Sequence, residues 1–153
     1  MRFEPDKRTA ETVKMNIYVY IAFIGIALGL AARYCFSNPP RYLISVACLA
    51  CGAYMGVCLL RFVRVLKTCE STYLEIDGDR VGGLSMDPRK GTGEPFEIEL
   101  ETVEDASLQE IKLTGRTLLP ALCIRTAAHI YRVVGIENSK TARSKLLPDK
   151  DLF

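Results

Sequence analysis

The sequence predicts an α+β membrane protein: a two-helix transmembrane hairpin followed by a small antiparallel bent sheet, or open barrel, with a C-terminal helix. Three observations predict it. Residues 15–32 and 42–60 are apolar and carry no charged side chain, the pattern turns from continuous apolar to alternating at Thr72, and a short amphipathic helical pattern follows Asn138. The expected division is an N-terminal segment (residues 1–14), a hairpin (residues 15–69) and a folded domain (residues 70–153).

A bilayer core of about 30 Å needs about 20 helical residues, and both apolar segments approach that length. Residues 33–41 between them hold Ser37, Asn38 and the pair Pro39-Pro40, which cannot continue a helix, so the two spans are adjacent and antiparallel. The second helix is expected to run on to about residue 67, with Arg61 and Arg64 reaching toward phosphates beside Phe62, Val65 and Leu66. Basic residues set the orientation. Arg2, Lys7, Arg8 and Lys14 precede the first span and Arg61, Arg64 and Lys67 follow the second, whereas the turn holds only Arg33 and Arg41. Both termini are expected on the cytoplasmic side of the cytoplasmic membrane. Gly29-Leu30-Ala31 imitates a signal-peptide cleavage site, but the apolar stretch exceeds the about 7–15 residues of such a segment and Glu4, Asp6 and Glu11 interrupt its basic flank.

The net charge of +2 conceals two opposite halves. Residues 1–69 carry nine basic and three acidic side chains, a balance of +6, and residues 70–153 carry eleven and fifteen, a balance of −4. The basic half matches anionic headgroups, and the acidic half disfavours nucleic acid as a partner.

Each span holds a GxxxG pattern, Gly25 with Gly29 and Gly52 with Gly56. Small residues at that spacing let helix backbones approach closely in lipid. Ala22 and Ala32 lengthen the first stripe and Ser45 and Cys48 the second, so these residues are expected either to pack within the hairpin or to form a homo-oligomer seam. Cys48, Cys51 and Cys58 lie inside the second span as small apolar groups, no second CxxC accompanies Cys48-Leu49-Ala50-Cys51, and His129 is the single histidine. Cys35 and Cys69 are expected to be the accessible thiols, Cys69 as a candidate for a lipid anchor.

In the domain, residues 73–77 and 80–86 alternate around Gly78-Asp79 as a strand hairpin. Residues 87–95 read as a loop and 96–101 as a half-buried strand with Glu97, Glu99 and Glu101 outward. Further strands are expected at residues 103–111, 117–126 and 129–136. Asn138 is expected to cap a helix to residue 147 with Ala142 and Leu146 inward.

Residues 73–81 (Tyr73-Leu74-Glu75-Ile76-Asp77 onward), 96–106 and 131–138 resemble the bacterial pleckstrin-homology-like domains that are often tethered to two membrane spans. The resemblance covers about residues 72–148. It implies a strongly bent sheet with a C-terminal helix and a binding or scaffolding role rather than catalysis, although the chain is short for a seven-stranded version. Lipid-binding eukaryotic relatives use basic residues around the first hairpin, where this chain has Asp77-Gly78-Asp79-Arg80, so a phosphoinositide pocket does not carry over.

Glu97, Glu99, Glu101, Glu104 and Asp105 form the densest charge run, a candidate docking surface for a basic partner or simply a solvated face that discourages edge pairing. Arg89 and Lys90, with Arg61, Arg64 and Lys67, are candidate headgroup contacts. Gly82-Gly83 and Gly91-Thr92-Gly93 lack the strand-to-helix setting of a phosphate loop, and no cofactor, metal or enzymatic constellation is expected. The expected role is a non-enzymatic membrane-anchored adaptor that binds membrane lipid and either a protein partner or copies of itself. The alternative is a lipid- or small-ligand-binding module.

Overall fold

The computed structural model describes residues 1–113 and 117–147, and the rest of the domain expected at 70–153 lies outside the described residues. The chain divides into two units. One is the continuous segment Thr12–Val63, and the other joins Met1–Glu11 to Arg64–Phe153. The first is therefore an insertion in the second.

The inserted unit holds most of two helices, α1 (Lys7–Cys35) and α2 (Tyr42–Ser71). Both are long and apolar enough to cross a membrane, and in their apolar windows only 6% and 17% of residues are buried. A core helix of a soluble protein would be mostly buried; here Leu43, Tyr54 and Val57 are 89%, 69% and 67% exposed. The helices meet along one face each. The Ser45 hydroxyl donates to the Ala31 carbonyl at 2.8 Å, a Cβ on Gly52 would lie 3.6 Å from that of Ala27, and the Tyr20 and Phe62 rings stand 5.2 Å apart. These contacts run in opposite order along the two helices, so the pair is antiparallel.

The second unit contains two antiparallel sheets and a terminal helix. The first sheet has the order β1 (Arg2–Phe3), β2 (Leu74–Asp77), β3 (Arg80–Met86), β4 (Gly93–Glu99). The second has β5 (Val103–Lys112), β6 (Leu118–Thr126), β7 (Ile130–Val134), with α3 (Ser139–Leu146) after it. Among the described residues they remain separate ladders, and no barrel closes. Phe3, Leu74, Val81, Ala106, Leu122, Ile124 and Val133 fill the core, with Ala142 and Leu146 of α3 beside them as the sequence spacing predicts.

Strand β1 has no signal in the sequence. It pairs Arg2 with Glu75 and Phe3 with Leu74, and Phe3 is 5% exposed. The chain then crosses to the other sheet: the Glu137 amide donates to the Glu4 carbonyl at 2.9 Å, Pro5 bridges Ile136, and the Asp6 amide donates to the Gly135 carbonyl at 2.6 Å. The first residues thus tie both sheets together. Asp6 next starts α1, accepting the Arg8 amide at 3.0 Å and the Thr9 hydroxyl at 2.9 Å in the manner of an N-cap. Gly135 sits at φ +60°, and a Cβ there would come within 2.8 Å of Thr9, so the joint has no room for another residue.

Three expectations change in detail. The strand expected at 96–101 starts earlier, because Gly93, Glu94 and Pro95 pair with Met86, Ser85 and Leu84, and ends at a 3-10 turn, Leu100–Thr102. Pro95 fits there because β4 is an edge strand that needs no donor on its outer side. Asn138 precedes α3 but makes no side-chain cap; its backbone is left-handed at φ 53°. Cys69, expected to be accessible, is 1% exposed in the last turns of α2.

Candidate functional site

Within the hairpin the two small-residue stripes have different fates. Gly52 is buried against Ala27, and Cys48 is half-buried. Gly25, Gly29 and Gly56 have no atom within 4 Å of an added Cβ, and Ala22 and Ala32 are exposed. Helix geometry explains it: Gly25 and Gly29 each lie two residues from Ala27, about 200° around the helix. The seam uses Ala27 and Ala31 instead, which is also a small-xxx-small pair. The signal that distinguishes the faces is Ser45, whose hydroxyl in an apolar segment needs a carbonyl and finds that of Ala31.

Four of the candidate headgroup contacts lie on two segments that a hydrogen bond joins. Thr68, one residue past Lys67, donates its hydroxyl to the Gly91 carbonyl at 3.0 Å, one residue past Lys90. The end of α2, with Arg64 and Lys67, is thereby joined to the β3–β4 loop, with Arg89 and Lys90, and all four side chains are exposed. Asp87 shapes that loop. Its carboxylate accepts the Arg89 amide at 2.7 Å and the Lys90 amide at 3.4 Å, and these bonds, with the nearby cationic side chains, hold its pKa below the usual carboxylate range. Arg61 lies in the hairpin unit.

The acidic run is spread over three elements. Glu97 and Glu99 are on β4, Glu101 is in the 3-10 turn, and Glu104 and Asp105 stand at an irregularity of β5 between Val103 and Asp105. All five are exposed. The alternation of β4 is the cause: Phe96 and Ile98 pack against the core, and the glutamates between them point away.

The same outer face carries a groove that the sequence reading passes over. It has a volume of about 600 Å³ and is lined by Tyr73, Glu75 and Asp77, by Arg80 and Gly82 on β3, and by Pro95, Phe96 and Glu97 on β4. The ladder places Glu75, Gly82 and Glu97 in one row across three strands. Since Gly82 has no side chain, the row opens in its middle. The Arg2 guanidinium lies 5.3 Å from the Tyr73 ring centre, and Arg80 pairs with Glu97 at 3.1 Å.

The described thiols offer little nucleophilic chemistry in the domain. Burial, with the Glu70 charge adding to it, pushes the Cys69 thiol up to about 11, and burial also raises that of Cys123. Among the described residues, no three His, Cys, Asp or Glu side chains group as a metal site. His129 is exposed and stands edge-on to Tyr131 with ring centres 6.2 Å apart.

No family model matches the chain, and neither the curated proteins nor the solved structures give a significant match.

Proposed function

We propose that the protein is a non-enzymatic membrane-anchored adaptor, in which a transmembrane hairpin carries a pleckstrin-homology-like domain at the cytoplasmic leaflet and the acidic face of that domain docks a protein partner. The observation that carries the reading is the place of the hairpin in the chain. β1 lies before α1, β2 lies after α2, and the two strands are paired. A domain whose adjacent strands bracket two apolar helices has both helix ends on one side of any membrane they cross. The basic flanks then make that side cytoplasmic. The four- and three-stranded sheets and α3 support the pleckstrin-homology-like reading, and β1 supplies a strand that residues 70–153 lack.

The exposed, nearly lipid-like surface of the helices supports spanning, and the row of exposed carboxylates from Glu97 to Asp105 supports docking of a basic partner. The bare Gly25 and Gly29 face gives self-association through the spans a place to occur. A second reading, a lipid-headgroup module, is favoured by the corner that unites Arg64 and Lys67 with Arg89 and Lys90.

Photo-cross-linking from positions 99 and 101 of the full-length protein in native membranes tests the adaptor reading. The expected product is a cross-link to a second protein chain that disappears when Glu97, Glu104 and Asp105 are replaced by Ser. Cross-links to lipid alone, or none, contradict docking and leave the headgroup reading.

A further inference from the structure

We propose that the groove over Gly82 is the seat of this docking surface and takes a lysine or arginine side chain from an exposed basic segment of the partner protein. The inference rests on the adaptor reading and adds the site and the chemistry of its ligand.

Glycine inside a strand weakens it, since it contributes no packing and costs more backbone entropy, and it often marks the close approach of a ligand or another backbone. The two glycines of β3 separate these causes. A Cβ on Gly83 would stand 2.9 Å from the Tyr73 carbonyl oxygen and 3.0 Å from the Phe96 ring, so the fold itself demands glycine there. A Cβ on Gly82 would meet only the Phe96 carbonyl oxygen, at 3.7 Å, an ordinary contact. Nothing in the fold requires Gly82, yet its bare backbone is the floor of the groove. Space left on the outside of a sheet at a cost to the strand is space for something arriving from outside.

The walls specify a cation. Glu75 and Asp77 on one side and Glu97 on the other are exposed carboxylates, and Tyr73 offers an aromatic face. The chain's own guanidinium groups already show both contacts such a ligand would use: Arg2 over Tyr73 at 5.3 Å, and Arg80 on Glu97 at 3.1 Å. The Arg80–Glu97 pair is solvent-exposed at 75% and 66%, so it exchanges readily for an incoming cation. The volume of about 600 Å³ lies in the range of ligand sites, roughly 300–1,000 Å³. Glu99, two residues after Glu97 on β4 and therefore on the same face, extends the negative field for the rest of a basic segment.

The test uses full-length protein in nanodiscs of neutral phosphatidylcholine and a fluorescein-labelled peptide of alternating arginine and threonine, read by anisotropy. Saturable, salt-sensitive binding is expected. Gly82→Val, which fills the groove with a good strand former, and the isosteric pair Glu75→Gln with Glu97→Gln should each weaken it about tenfold. Arg80→Ala should tighten it, a change that misfolding does not produce. Absence of saturable binding, equal affinity of the Gly82→Val protein, or spermidine binding as tightly as the peptide would overturn the proposal. If cross-linking from positions 99 and 101 still captures a partner while the groove variants leave that capture unchanged, the groove is wrong and the adaptor reading stands. Loss of capture from the wild-type protein removes both.

Discussion

The hairpin and the domain are built from the same apolar side chains placed in opposite ways. In the domain Leu74, Val81 and Leu122 are fully buried, whereas in the hairpin Leu43, Val57 and Leu60 are 89%, 67% and 61% exposed. In β4 the apolar residues alternate with glutamates, so the strand has an inside and an outside. In the hairpin they surround the helix, and Ala27, Ala31, Ser45 and Gly52, with the Tyr20–Phe62 ring pair, mark where the helices touch. The difference teaches that the two units follow different rules: water expels the large side chains of the domain, whereas the hairpin leaves them outside and brings small residues, one hydroxyl and the Tyr20–Phe62 pair into contact.

Breaking the domain where it depends on the far end of the sequence has the largest expected effect. Phe3→Ala should cost about 3 kcal/mol, the loss typical of a buried aromatic side chain. Hydrogen exchange of the β2 amides in the nanodisc-embedded protein measures it, and unchanged protection would mean that β1 is dispensable. Next comes the hairpin seam. Gly52→Leu should cost about 1–3 kcal/mol by wedging the helices apart at Ala27, while Gly25→Leu leaves the distance between them unchanged. Electron-spin distances between labels on α1 and α2, in a cysteine-free background, separate these outcomes. Ser45→Ala should weaken the same contact by about 1 kcal/mol or less, since a hydroxyl bond between membrane helices is worth little more.

The smallest effect at neutral pH concerns Cys69. Its pKa of about 11 in the folded chain exceeds its ordinary 9.0, so the folded state favours the protonated thiol. Stability from this group is complete below pH 9 and falls as pH rises from about 9 toward 11, where the unfolded chain ionises first. Cys69→Ala should flatten alkaline unfolding in that window. At pH 8 a maleimide should label Cys35, which is half-buried, well before Cys69.

The sequence announces whatever follows a period. Two charge-free apolar segments mark the two long apolar helices, and alternation marks β2, β3 and most of β4. The inward residues of α3 follow from helical spacing. It conceals what depends on partners far along the chain. Arg2 and Phe3 make a strand only because β2, more than 70 residues later, offers an edge, and two residues are too few to show a pattern. The GxxxG pattern points to Gly25 and Gly29, but Ala27-xxx-Ala31 obeys the same rule on the opposite face, and spacing alone cannot rank them. Gly82 and Gly83 look identical in the sequence; only the distances to Phe96 and Tyr73 show that one is needed by the fold and the other is not. The acidic run is legible as a charge run, but its spread over β4, a turn and β5 required the register.

The most direct test of the account is the sidedness of three positions. Single cysteines at Glu4, Asn38 and Glu101 in a cysteine-free background, probed with an impermeant maleimide in sealed vesicles of known orientation, report on β1, the turn and the acidic face. A hairpin inserted between two paired strands predicts positions 4 and 101 on the cytoplasmic side and position 38 on the other. Positions 4 and 101 on opposite sides, or all three on one side, would contradict it.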